Sequence, residues 1–178
     1  MIKVYALSGS HGIGKTTTWK IIKQLADGDR FAFVGEVAHG ILVQMGIRDS
    51  WKEKIFGYNA AYNYFENALD FITVASYLVH QDKPIIADRS LVDNAAYRLC
   101  AKLPLNTIHL LDFHAVKLFT FFMRSPKRED TTVTDAVRKI LTRFKLPYEE
   151  IFIREGDPEG TARLVLDRVI EMEATAPK

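Results

Sequence analysis

Gly9-Ser10-His11-Gly12-Ile13-Gly14-Lys15-Thr16 carries the spacing G-x-x-x-x-G-K-[ST], and its flanks decide how that spacing is read. Before it, Ile2-Lys3-Val4-Tyr5-Ala6-Leu7-Ser8 predicts a buried strand. After it, Thr18, Ile21, Ile22 and Leu25 recur at helical spacing, and Asp27-Gly28 supplies a stop. Strand, glycine-rich loop and helix in that order make a P-loop. Glycines let successive backbone N–H groups curl around an anion where a Cβ would intrude. Lys15 then meets the β- and γ-phosphates as a point charge, Thr16 offers its hydroxyl to Mg²⁺, and the helix start adds its positive end. Gly9, Gly12, Ile13, Gly14, Lys15, Thr16 and Thr17 are the candidate ATP-binding set. His11 either touches a phosphate or faces solvent, and it stays outside that set.

The rest of the composition narrows the class. With 178 residues, 48% of them hydrophobic, the chain can fill one core and is short for two, so one domain over 1–178 is expected. Its 24 basic and 22 acidic residues leave a net charge of +2, too balanced for coating long nucleic acid. Cys100 is the sole cysteine, which excludes an internal disulfide and an all-cysteine metal site. Met1 runs straight into the first strand, and no apolar run approaches the roughly 18 residues of a membrane span. The expectation is a cytoplasmic protein with no membrane partner.

Phe31-Ala32-Phe33-Val34 predicts a second strand with Glu36 just beyond its C-terminal end, on the side where open α/β sheets bind ligands. Glu36 is therefore a candidate general base, or else a solvated carboxylate opening a helix that buries Val37, Ile41 and Leu42; His39 reads as structural. A helix rich in aromatics is expected over 52–80. On it Asn59, Asn63, Glu66 and Asp70 share a face beside a stripe of Tyr58, Tyr62, Phe65 and Leu69. That pair of stripes either grips a flat base or is plain core.

Pro84-Ile85-Ile86-Ala87-Asp88 is an apolar strand ending in an acid, the Walker B arrangement that puts Asp88 near Mg²⁺. Arg89 follows where hydrolytic ATPases often carry a water-activating Glu, which points to transfer rather than hydrolysis. A helix over 91–102 holds Asp93 and Tyr97 one turn apart, and a strand is expected over 114–123. The basic stretch 124–145 reads as a lid with Arg124, Arg128, Arg138 and Arg143 as candidates to meet the transferred phosphate, and with Thr132 and Asp135 spaced as a capping box. A fifth strand over 150–154 and a helix opened by Asp157-Pro158 complete the chain.

With the P-loop, Glu36, Asp88-Arg89-Ser90, Tyr97 and a basic segment in this order, the chain resembles the P-loop nucleoside and nucleotide kinases, above all the deoxynucleoside and thymidylate kinase group. The resemblance implies a three-layer α/β fold: a five-stranded parallel sheet in the order 2-3-1-4-5, helices on both faces, and a lid. Thymidylate kinases carry an R-E-P element after the second strand whose arginine holds the acceptor phosphate; here the residues are Val34-Gly35-Glu36-Val37. Deoxynucleoside kinases place at this point a Glu that serves as base for the sugar 5′-hydroxyl. Glu36 matches it, without the proline that usually follows. The expected catalytic set is thus Lys15, Glu36, Asp88, Arg89, Arg124 and Arg128, with Thr16 and Asp88 on Mg²⁺, ATP as donor and a small nucleoside-like hydroxyl as acceptor. A nucleoside monophosphate kinase, a 5′-hydroxyl polynucleotide kinase and a regulatory ATPase stay open as alternatives, as does a homodimer. The absence of an N-K-x-D guanine motif argues against a regulatory GTPase.

Overall fold

Val4 and Ala6 point to one side of the sheet and Tyr5 and Leu7 to the other, and each pair sits in its own apolar core. They belong to β1 (Ile2–Ser8), the middle strand of the computed structural model, which describes residues 2–44, 59–105, 116–125 and 127–175. The chain continues through α1 (Lys15–Leu25), β2 (Ala32–Val34), α2 (Val37–Gln44), α3 (Asn59–Val79), β3 (Ile85–Asp88) and α4 (Leu91–Cys100). It ends with β4 (Val116–Arg124), α5 (Thr131–Arg143), β5 (Tyr148–Phe152) and α6 (Pro158–Thr175). The five strands lie in the order β2-β3-β1-β4-β5 and every pair is parallel, as the resemblance implied.

Period-two alternation in the strands and an apolar stripe on each helix then dictate three layers. Tyr77 of α3, Leu91 and Ala95 of α4, and Val137 and Ile140 of α5 cover the Val4–Ala6 face, while Ile22 of α1 and Val165 and Val169 of α6 cover the Tyr5–Leu7 face. Each large aliphatic side chain fully buried there stabilises the fold by about 1.5–3 kcal/mol. Glu173 near the end of α6 ties that helix back to β1, accepting from Lys3 Nζ at 2.9 Å and Tyr5 Oη at 2.6 Å.

The last third of the chain departs from expectation in three ways. β5 is Tyr148–Phe152 rather than 150–154, because its ladder with β4 opens at Thr120↔Tyr148 directly after Pro147. α5 is capped by Asp130, whose carboxylate accepts from the N–H groups of Thr132 and Val133, and not by a Thr132–Asp135 box. Most of the expected lid over 124–145 is α5 itself. Val133, Val137, Ile140 and Leu141 recur at helical spacing and are buried in the core that α4 also packs, which makes this helix the β4–β5 crossover and leaves 127–130 as the loop before it. The expected helix over 52–58, with Phe56 and Tyr58, and the strand start at 114–115 lie outside the described residues.

Candidate active site

β1 delivers the chain to the P-loop at Ser8, and Gly9, Gly12 and Gly14 then take φ of 141°, 77° and 105°, where side chains other than glycine are strained. Gly9 is the most constrained, since a Cβ there would lie 2.6 Å from Met123 O and 2.8 Å from Ile13 Cδ1. Gly14 caps α1 with backbone only, so the N–H groups of the first turn keep their capacity for an anion. Ile13 is buried in the core below α1 and anchors the loop from inside. Lys15 curls back over the loop, donating from Nζ to Gly9 O at 2.8 Å and Ser10 O at 2.5 Å. Burial, and then the neighbouring Arg89, pull its pKa down to about 8.

β3 ends beside β1 with Asp88 opposite Leu7, so its carboxylate meets the mouth of the P-loop. Burial raises its pKa, and the Thr16 hydroxyl tempers the rise. Neither carboxylate oxygen completes a hydrogen bond in regular geometry, although both are buried. A buried carboxylate with open lone pairs beside an exposed hydroxyl fits Mg²⁺, which binds few protein oxygens and fills its octahedron with phosphates and water.

The next residue turns the chain sharply. Arg89 sits at φ 72° while its N–H still donates to Leu7 O at 3.0 Å, so the left-handed kink swings its side chain into the crevice. There Nε lies 2.7 Å from Glu36 Oε1, Nη1 donates to Tyr97 Oη at 3.3 Å, and Nη2 is 3.4 Å from His11 Nδ1. These partners keep the guanidinium charged and fix where it points.

Asp93 holds this turn against the P-loop. Fully buried, it accepts from Ser8 Oγ at 2.7 Å, Gly9 N–H at 3.1 Å and Ser90 N–H at 3.0 Å. With Ser90 Oγ accepting from Val92 N–H, it forms the capping box that starts α4. The pattern Ser90-x-x-Asp93 was readable as a helix start, but its reach across to Gly9 was not.

Two cavities meet at Glu36. One runs along the P-loop and is lined by Gly12, Gly14, Lys15, Thr16 and Thr17; the other lies between α2, α3 and α4 and is lined by Leu42, Tyr62, Phe65, Glu66, Leu69 and Tyr97. His11, Glu36 and Arg89 border both. The expected aromatic stripe therefore does face a cavity, through Tyr62, Phe65 and Leu69. Asn63 and Asp70 of the expected polar stripe do not. Arg98, wholly buried on α4, draws Asn63 (Nη1 to Oδ1, 2.9 Å), Asn67 and Asp70 (Nε to Oδ2, 3.6 Å) into an α3–α4 joint, to which Asn94 adds a 3.0 Å bond to Asp70. Of that stripe Glu66 reaches the cavity. It stands by Tyr62, whose hydroxyl is kept far from ionising by burial first and Glu66 second. An arginine on the inward stripe of α4, at positions 91, 95 and 98, was the available sign of a buried polar joint.

Of the arginines assigned to the lid, Arg124 is not brought to the site. Its guanidinium grips Glu129 through Nε and Nη2, both at 2.8 Å, and Glu150 through Nη1 at 2.9 Å, while Arg138 takes the other oxygen of Glu150 at 3.0 Å. Arg143 stacks over Phe144 on the outside of α5. Arg128 is exposed and makes no ion pair with any described residue. Its loop touches the P-loop, because Asp130 N–H donates to Ser10 Oγ at 3.2 Å.

The architecture is that of the P-loop kinases. Thymidylate kinase from Ehrlichia chaffeensis superposes with a TM-score of 0.54 at 15% identity, over 96% of this chain and 98% of that one. Shikimate kinase from Acinetobacter baumannii, solved in complex with shikimate, gives 0.51 at 15% identity over 96% and 94%. At that identity the likeness defines the fold and not the substrate. No protein-family model and no curated protein matches the sequence.

Proposed function

We propose that the chain is an ATP- and Mg²⁺-dependent phosphotransferase that moves the γ-phosphate to a hydroxyl of a small, nucleoside-like acceptor. The observation that carries this reading is the shared wall: Glu36 and Arg89, ion-paired at 2.7 Å, separate a phosphate-binding loop from an aromatic cavity. A hydroxyl bound in that cavity attacks the γ-phosphorus, the bond to the β–γ bridging oxygen breaks, ADP leaves, and the hydroxyl proton passes to the Glu36 carboxylate. Arg89 orients Glu36 and neutralises charge on the transferred group, Lys15 exchanges its two carbonyl partners for phosphate oxygens, and Arg128 approaches from the 127–130 loop. Bound Mg²⁺, held by Asp88 and Thr16, supplies further charge neutralisation.

The charge on the acceptor cavity favours a hydroxyl over a phosphate. Its lining contributes three carboxylates, Glu36, Glu66 and Asp93, against one guanidinium, Arg89. A dianionic monophosphate would enter against that balance, and so would the backbone of a polynucleotide, whose binding calls for a basic groove. The test is transfer of labelled γ-phosphate from ATP to a panel of nucleosides, nucleoside monophosphates and 5′-hydroxyl oligonucleotides. The expected result is phosphorylation of one or more nucleosides alone. Turnover confined to monophosphates or oligonucleotides, or ATP hydrolysis indifferent to every acceptor, would overturn the proposal.

A further inference from the structure

Asp93 gathers more donors than a helix start requires. A capping box calls on this side chain only for the Ser90 N–H. Here each carboxylate oxygen faces one group from either side of the site. Oδ1 accepts from Gly9 N–H at 3.1 Å and lies 3.8 Å from Arg89 Nη1, while Oδ2 accepts from Ser8 Oγ at 2.7 Å and from Ser90 N–H at 3.0 Å. Ser8 and Gly9 lead into the P-loop. Arg89 and Ser90 form the turn whose guanidinium is paired to Glu36. Both bridges run through one carboxylate that is 1% exposed, where hydrogen bonds hold position most strongly. An amide could not replace it, because its NH₂ would turn a donor toward donors on one side and break a bridge.

Gly9 gives the link something to carry. Asp93 holds its N–H, Lys15 Nζ donates to its carbonyl at 2.8 Å, and a Cβ on it would lie 2.6 Å from Met123 O. On the phosphotransfer reading above, phosphates draw Lys15 off that carbonyl. The loop then hangs on Asp93 against the close wall of Met123. A shift of Gly9 passes to the carboxylate, and through its other contacts to Ser90 and Arg89. Asp93 also lines the acceptor cavity, so the link ends where the acceptor binds in that reading.

We infer that Asp93 is a positioning residue that couples the two halves of the site: ATP in the P-loop sets, through Asp93, the place of Arg89 and with it Glu36. The consequence for transfer rests on the phosphotransfer reading, whereas the link itself rests on the contacts.

Hydrogen–deuterium exchange of the full chain, with and without a non-hydrolysable ATP analogue and Mg²⁺, tests the link without an acceptor. In the wild type the analogue should slow exchange over residues 9–17 and over 89–94 together. In Asp93→Asn the first protection should remain and the second should be lost. Ser8→Ala breaks one of the two bridges and should diminish the second protection; it serves if Asp93→Asn does not fold. With a nucleoside that the wild type phosphorylates, kcat of Asp93→Asn should fall about a hundredfold while KM for ATP and acceptor hold, as misplacement without lost binding requires. Tyr5→Phe, which removes the 2.6 Å bond to Glu173 outside the site, should lower the melting temperature with neither change. Protection over 89–94 that is absent from the wild type, or that survives in Asp93→Asn, would overturn the inference, as would a loss of activity that lies wholly in KM. A wild type protected over 9–17 that phosphorylates no nucleoside would sink the proposed acceptor instead, and the exchange would still decide for Asp93. No protection over either segment would overturn both.

Discussion

The donor and acceptor halves of the proposed site are built by opposite means. Around the P-loop the groups proposed to bind are mostly backbone: three glycines with positive φ and a helix start without a side-chain cap, joined by one lysine and the acid ending β3. Between α2, α3 and α4 the side chains of three helices make a cavity whose walls are far apart in sequence. A backbone-made site accepts one chemical group, a chain of phosphates, wherever it occurs. A side-chain-made site takes its shape from every residue in it and is specific for that reason.

Two substitutions pull these halves apart, and they carry the largest expected effects. Glu36→Gln keeps the size and hydrogen-bonding reach of the side chain but cannot take a proton, so kcat with a nucleoside acceptor should fall about a hundred- to ten-thousandfold while ATP affinity holds. Lys15→Ala should lower turnover about a hundred- to a thousandfold with every acceptor alike, because it removes a charge from the donor half only. Steady-state kinetics of the two variants across the acceptor panel checks both. Normal kcat in Glu36→Gln would shift the reading to an acceptor that is already ionised.

That contrast also explains what was legible in the chain. Gly9 to Thr16 is contiguous, and Asp88 sits at the end of an apolar run, so spacing alone located both and the structure puts them side by side. Strand count followed from apolar runs, and strand order from the family resemblance. Asp93 and Arg98 were opaque for a different reason: each acts through partners dozens of residues away, Ser8 and Gly9 for one and the polar residues of α3 for the other. Glu66 and Asp70, four residues apart on one helix, illustrate the limit, since the first reaches the cavity and the second is taken up by Arg98. Helical spacing places both on one face, and only the packing of α4 decides which reaches the cavity.

A smaller effect separates the arginines of the third quarter of the chain. Arg124→Ala removes three charge-assisted hydrogen bonds and strips Glu129 of its bidentate partner, so it should lower stability by about 1–3 kcal/mol while leaving kcat near normal. Arg128→Ala should do the reverse, lowering kcat roughly ten- to a hundredfold with an unchanged melting temperature. Thermal unfolding and single-turnover transfer on both variants distinguish them. Loss of kcat in Arg124→Ala without loss of stability would mean that the ion-pair network opens during turnover and frees Arg124 for the phosphate.

The smallest effect is a fraction of a proton, and it tests the donor half without any acceptor. In the free protein burial and Arg89 hold the Lys15 pKa near about 8, below the ordinary lysine value. A triphosphate placed on Nζ favours the charged form and must raise that pKa. The sign follows: below 8 Lys15 is already charged in both states and contributes no proton change, whereas above 8 it is largely neutral when free and charged when bound. Binding of ATP should therefore take up part of a proton at pH 8.5, and affinity should weaken as pH rises through 8. Calorimetry in two buffers of different ionisation enthalpy measures the uptake directly, with Lys15→Met as the control that should show none. Equal heats in both buffers at pH 8.5 would mean that Lys15 does not meet the phosphates, and the backbone-made half of the comparison would lose its central cation.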